Sequence, residues 1–82
     1  MKDIIKSIFN NHEINKVTMI EENDSCTFII HSMTNSIPLE RWENLENLLK
    51  YVIKKEIYLC SYPQAITYFQ KEFINKGVII NE

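Results

Sequence analysis

Cysteine and histidine, the side chains that most often build metal and redox sites, are scarce in this sequence. The chain has two cysteines, Cys26 and Cys60, and two histidines, His12 and His31. The cysteines lack the CxxC spacing of a zinc knuckle or a redox pair, and neither histidine has a second histidine three or four residues away. We therefore expect no metal and no cofactor, and we interpret both cysteines as buried, reduced thiols.

Long apolar runs and blocks of like charge are missing as well. Polar residues interrupt the apolar positions of segment 1–13 before a signal-peptide core of adequate length forms, and no apolar run approaches the roughly 20 residues of a membrane span. Nine lysine and arginine residues against eleven acidic ones give a formal net charge of -2, with no basic stripe of the kind that binds nucleic acid. We expect a soluble, cytoplasmic protein with neither a membrane nor a nucleic acid as its partner.

Glycine and proline are rare enough that each one marks a boundary. Pro38 and Pro63 suit the start of a helix, where the missing N–H would have no intrahelical acceptor and the ring already fixes φ near the helical value. Gly77, the only glycine, stands where a helix needs a left-handed cap. The polar run 21–25 has no glycine, which argues against a tight two-residue turn there.

The chain does contain enough apolar residues for one core. Its 82 residues are 45% hydrophobic and 24% charged, which fits a single globular domain over residues 1–82. A chain this short buries only roughly 60–65% of the surface that its unfolded form exposes, so its stability margin is thin. A protein partner, or self-association through an incomplete sheet, would enlarge that margin.

Hydrophobic periodicity predicts seven elements in the order α-β-β-α-β-α-β. Helices are expected over 2–11, over 38–55 and from Pro63 onward, and strands over 16–21, 26–32, 57–60 and 78–80. The polar turn between the first two strands predicts an antiparallel hairpin, and the later helices predict right-handed crossovers to the remaining strands. The expected fold class is α/β, in the form of a small two-layer sandwich.

Two helices carry apolar stripes that should face the sheet. In helix 38–55 the stripe consists of Leu39, Trp42, Leu45, Leu48, Leu49, Val52 and Ile53. In the last helix the buried face is expected to be Ile66, Phe69 and Phe73, with Tyr62 as a further candidate. Trp42 and the tyrosines offer a possible platform for stacking on sugars, but Trp42 shares the core stripe, which favours a packing role.

His31 is the candidate functional residue. It lies at the carboxyl end of an apolar strand (CTFIIHS), and open α/β sheets and α/β barrels place their chemistry above the ends of their strands. Histidine is also the side chain best matched to proton transfer near neutral pH. His31 is therefore either a catalytic general acid or substrate-binding group, or a partly buried histidine bonded to a neighbouring backbone group.

The segment around His31 resembles a known family. Residues 25–74 combine the strand CTFIIHS, a short polar loop, a leucine-rich helix ending in Lys-Lys, a second strand and the run PQAITYF. This combination resembles the C-terminal third of a NodB-like polysaccharide deacetylase, a carbohydrate esterase. The resemblance implies that the segment forms the closing strands and helices of a distorted (β/α) barrel. It also implies that His31, preceded by Ile29 and Ile30, matches the histidine that protonates the leaving amine.

The chain departs from that family in its metal centre. The family has an Asp-Asp pair on an early strand and an HxxxH pair shortly after it, and this sequence has neither. Without those ligands no metal-bound water can become a nucleophile. The resemblance therefore implies a truncated or detached piece of a deacetylase, without activity on its own.

The alternative comes from a different class of function. A small acidic intracellular domain without a catalytic constellation suits an immunity protein, an antitoxin or a phage inhibitor, in which complementary charge speeds association with a basic partner. Glu21, Glu22 and Asp24 would form an acidic turn that either faces such a partner or only aids solubility. An exposed, structured acidic turn would favour this alternative, and a bare apolar sheet face would favour the deacetylase piece.

Overall fold

The computed structural model of the protein describes residues 2–11, 14–33 and 38–81. The elements in chain order are α1 (Lys2–Asn11), β1 (Ile14–Glu21), β2 (Ser25–Met33), α2 (Leu39–Ile53), β3 (Glu56–Ser61), α3 (Tyr62–Tyr68), α4 (Lys71–Asn75) and β4 (Val78–Asn81). The four strands form one sheet in the order β3-β2-β1-β4. The prediction of a small α/β sandwich is confirmed. No helix in the described ranges is long and apolar enough to cross a membrane.

The sheet is mixed, with both predicted kinds of connection. β1 and β2 form the antiparallel hairpin, and α2 leads from β2 to a parallel β3. β4 lies at the opposite edge of the sheet from β3 and pairs antiparallel with β1. In the turn of the hairpin the Glu22 amide donates to the Ser25 carbonyl at 2.8 Å. Only Asn23 and Asp24 lie between the two residues of this hydrogen bond, so the turn is tighter than the lack of glycine predicts, and neither of the two has a positive φ.

The larger core lies on the face of the sheet that α1 and α2 cover, which we call the long-helix face. Phe9 of α1, Phe28 of β2 and Leu45 and Leu49 of α2 are fully buried there, and the two phenylalanine rings lie 5.2 Å apart. Trp42, Val52 and Ile53 pack at its margin.

The apolar stripe of α2 is narrower than the sequence predicts. Leu39 is 74% exposed and Leu48 is also exposed. A helix lying on a sheet buries only the strip along its line of contact, which here runs through Leu45 and Leu49, four residues apart.

A smaller core lies on the opposite, short-helix face, which α3 and α4 cover. Ile20 of β1, Ile29 of β2 and Ala65 of α3 are buried in it, and Cys60, Phe69, Phe73 and Ile74 pack against them. The structure thus adds a second, thinner helical layer to the predicted sandwich. The two cores separate because successive strand residues point to opposite faces.

The last predicted helix is in fact two short helices. Phe69 and Gln70 have extended backbones, with ψ of 148° and 151°, so α3 ends before them and α4 begins after them. The expectation that Ile66 is buried is also wrong, because Ile66 is 56% exposed while Ala65 is fully buried. Gln64 fixes the start of α3 by accepting hydrogen bonds from the Ser61 amide and hydroxyl, at 3.2 and 3.3 Å.

Gly77 does not adopt the predicted left-handed conformation. The only described residue with a positive φ is Lys54, which ends α2 at φ 62° and donates its amide to the Lys50 carbonyl. Gly77 is needed for close packing instead. A Cβ at this position would collide with the Thr18 Cγ2 methyl and would lie 3.0 Å from Ile20 Cγ1.

Candidate functional site

His31 lies at an irregularity in the sheet near the carboxyl end of β2. Lys16 pairs with Ser32 and the next residue, Val17, pairs with Ile30, so His31 is the extra residue of a β-bulge. Bulges often re-aim a side chain, and they are frequent next to functional sites. His31 lies near the end of a strand, as its position in the sequence predicts. No feature of the sequence indicates the bulge.

The neighbours of His31 are a threonine, a tyrosine and a lysine. Its Nε2 lies 2.6 Å from Thr18 Oγ1, and its ring centroid lies 4.6 Å from that of Tyr62. Partial burial, and secondarily the charge of Lys16, lower the pKa of His31 from its ordinary value. The shift favours the neutral form of the imidazole.

These three neighbours provide few of the groups that acid–base catalysis by a histidine requires. A general acid must carry a proton at the working pH, and a general base usually needs a partner that orients it. Among the described residues no carboxylate forms an ion pair with His31. The assignment of a catalytic role to His31 stays a prediction.

The described part of the chain contains no group of three or more His, Cys, Asp or Glu residues that could hold a metal ion. The second histidine, His12, lies outside the described residues.

The two thiols are free and lie on opposite faces of the sheet. Cys26 packs in the core of the long-helix face, where burial, followed by the charge of Glu21, raises its pKa to about 11. Cys60 packs against the core of the short-helix face, and burial raises its pKa too. Both thiols are protonated at neutral pH, so neither is an activated nucleophile.

The short-helix face has a groove of about 500 Å³, which lies between strands β2 and β3 and the α3–α4 pair. Its walls are mainly apolar and aromatic, and Glu22 is among the residues that line it. We call it the aromatic groove, and its principal lining residues are Tyr58, Cys60, Tyr68, Phe69 and Phe73. Its size and character match those of ligand-binding clefts in proteins.

The sequence analysis did not find the aromatic groove. Tyr58 and Tyr68 were considered only as a sugar platform with Trp42, and Trp42 packs against the core of the long-helix face. The sequence signal that could have indicated the groove was the high aromatic content of 58–73. It is higher than the core beneath a thin helical layer requires.

The acidic turn is exposed, and Lys55 compensates part of its negative charge. Lys55 Nζ donates to Glu21 Oε2 at 3.0 Å and to the Glu22 carbonyl oxygen at 2.8 Å. Within the described ranges no cation forms an ion pair with Glu22 or Asp24. From the described part of the chain the Glu22 carboxylate accepts only a long hydrogen bond, donated by the Ser25 hydroxyl at 3.5 Å. A carboxylate that forms no ion pair within the described ranges therefore lines an apolar groove.

Comparison of the chain with models of protein families, with curated proteins and with solved structures found no significant match.

Proposed function

We propose that this chain is a small protein-binding module, of the general kind to which immunity proteins, antitoxins and phage inhibitors belong, and that it binds its partner through the aromatic groove. The observation that carries the proposal is the groove itself, an apolar cleft of about 500 Å³ with the acidic Glu22 among its lining residues. Such a combination is typical of a surface that takes up an apolar side chain together with a basic one.

The coverage of the sheet favours this function over a piece of a barrel. Both faces of the sheet have helices and a core of their own, built around Phe28 on one face and Ile29 on the other. In the part of the chain that is described, no wide apolar face of the sheet is left uncovered, as it would be if further barrel strands were missing. The acidic turn is ordered and exposed, which is the feature expected of the binding protein.

The charge around the groove indicates the chemistry of the partner. Among the residues that the structure describes, Glu22 and Asp24 form no ion pair, and Glu56 forms only a loose one with Lys50, at 3.9 Å between exposed side chains. This surface would attract a basic protein and repel a nucleic acid. The same proposal places the chain in the cytoplasm, where two unpaired thiols stay reduced.

Two tyrosines of nearly equal exposure provide a matched test. Tyr68 lines the aromatic groove and is 80% exposed, whereas Tyr51 lies on α2 and is 81% exposed. The wild type, Tyr68→Ser and Tyr51→Ser would each be immobilised and exposed to an extract of the source cells. We expect a protein that the wild type and Tyr51→Ser retain and that Tyr68→Ser loses. Equal retention by all three would contradict a role for the groove.

A second proposal is that the chain is a piece of a polysaccharide deacetylase, the family that residues 25–74 resemble. Its support is that β2, α2 and β3 form a parallel strand-helix-strand unit with His31 near the carboxyl end of β2. In this proposal His31 would donate a proton in an active site whose metal ligands lie on other segments. The test is to translate the DNA upstream of Met1 in all three frames. An Asp-Asp strand and an HxxxH motif there would support the proposal, and a separate start signal without them would contradict it.

A further inference from the structure

The aromatic groove adjoins an open edge of the sheet. Within residues 2–11, 14–33 and 38–81, β3 pairs with β2 on one side only, and it is the last strand in the order β3-β2-β1-β4. In a parallel ladder, residues that bond to one neighbour alternate with residues whose N–H and C=O groups point the other way. About half of the backbone groups of β3 are therefore available to a further strand.

The wall of the groove includes the main chain of this edge strand. Tyr58 and Cys60 reach the groove with their side chains, on the short-helix face. Leu59, between them, also lines the groove although its side chain packs against the core of the opposite face. Its contribution to the wall is therefore mainly backbone. A strand laid along β3 would place every second side chain over the groove.

We propose that the occupant of the groove is an extended segment of a partner protein that adds to the sheet as a strand beside β3. Its alternate apolar side chains enter the groove between Tyr58 and Tyr68, and a lysine or arginine of the segment pairs with Glu22. This inference rests on the proposed binding function and specifies how the partner is recognised. Main-chain hydrogen bonds give such complexes affinity, and the side-chain pockets give them specificity.

Charge and geometry favour this occupant over a second copy of the chain. A second copy would bring the same acidic turn to this surface, whereas the Glu22 carboxylate forms no ion pair within the described ranges. An extended segment also uses both features at once, because the groove is bounded by an edge strand on one side and a helix on the other.

The first experiment selects ligands without assuming their sequence. The full chain would be screened against a displayed library of random peptides of about eight residues, the length of an ordinary strand, with Tyr68→Ser as the counter-selection. We expect enriched peptides in which apolar residues alternate and at least one residue is basic. Failure to enrich any peptide over the counter-selection would overturn the inference, while the extract experiment would still decide the proposed function.

The second experiment tests main-chain pairing directly. Two versions of an enriched peptide would be synthesised, with N-methyl groups on one or the other alternate set of amides. One set should weaken binding by about tenfold or more, because it removes two or three hydrogen bonds, and the other set should weaken it by less than about threefold. Equal tolerance of both sets would overturn strand addition without contradicting groove binding.

The contribution of Glu22 has its own matched variant. Glu22→Gln should weaken the basic peptides by about threefold at low salt, and the difference should vanish at high salt. Glu46→Gln, an exposed change on α2, should leave binding unchanged. Equal effects of the two changes would contradict the pairing with Glu22. A concentration-dependent dimer of the chain that excludes the peptides would make a second copy the occupant and overturn the inference.

Discussion

The two faces of the sheet differ in how completely their helices cover them. The long-helix face is covered by helices of 10 and 15 residues, and its core contains two packed phenylalanine rings. The short-helix face is covered by helices of 7 and 5 residues and keeps a groove of about 500 Å³. Stability should therefore depend mainly on the first face, and binding on the second.

Helix length explains part of this division. Helices shorter than about 12 residues are marginal by themselves, so α3 and α4 depend on their contacts with the sheet and with each other. Phe69 and Phe73 make one such contact, with ring centroids 4.9 Å apart. A thin layer of this kind leaves aromatic side chains half-buried, where a partner can complete their burial.

The most direct test of this difference between the two faces is to replace one phenylalanine on each of them. Phe28→Ala should lower the free energy of unfolding by about 3–5 kcal/mol, because the side chain is fully buried and leaves a cavity. Phe69→Ala should cost only about 1–2 kcal/mol, because that ring is partly exposed already. Urea denaturation measures both. Equal costs would contradict the division between the faces.

Gly77→Ala tests the tight packing at the edge of the short-helix face. The added methyl collides with Thr18 Cγ2, so we expect a loss of about 1–3 kcal/mol in the free energy of unfolding. Thr18→Ser removes that methyl and keeps the hydroxyl, so the double variant should regain most of the loss. A Gly77→Ala protein as stable as the wild type would show that the close approach is absent in solution.

The role of His31 has a pH signature. The pKa of His31 is lowered in the folded state from its ordinary 6.5, so the unfolded chain takes up the proton first as the pH falls. The stabilisation is present above about pH 6.5 and is lost as the pH falls through the folded-state value.

The test of His31 compares the wild type with His31→Ala across this pH range. At about pH 8, His31→Ala should lower stability by about 1 kcal/mol, because the buried Thr18 hydroxyl loses its partner. The difference between the two proteins should shrink as the pH falls. A difference that stays constant with pH would contradict a lowered pKa.

The smallest expected effect is a difference in rate between the two thiols. Cys60 borders the groove and should react with iodoacetamide before Cys26, whose pKa of about 11 and full burial leave almost no accessible thiolate. Mass spectrometry after timed alkylation locates the modified residue. Faster reaction of Cys26 would mean that the core of the long-helix face opens more readily than the groove.

Much of the fold was predictable because its signals are local. The strand-favouring residues of 16–21 and 26–32 and the polar run between them indicated the hairpin, and the long apolar stripe of α2 indicated the crossover to β3. The break at Phe69 and Gln70 was not predictable, since no glycine or proline marks it and tertiary contacts decide it.

The site was much less predictable than the fold. The position of His31 at a strand end could be read from the sequence, but the bulge depends on the register between β1 and β2. The aromatic groove depends on how β3 and the α3–α4 pair, distant from the hairpin turn in sequence, come together around Glu22. Gly77 was misread for the same reason, because the atoms that require it belong to β1.

The central claim is that binding uses the edge and groove of the short-helix face. Amide hydrogen exchange, measured for the chain alone and bound to the protein that it retains, tests this claim most directly. Exchange should slow in residues 56–73, which include β3 and α3, and stay unchanged in α1 and α2. Slowing confined to α1 and α2, with β3 unaffected, would contradict it.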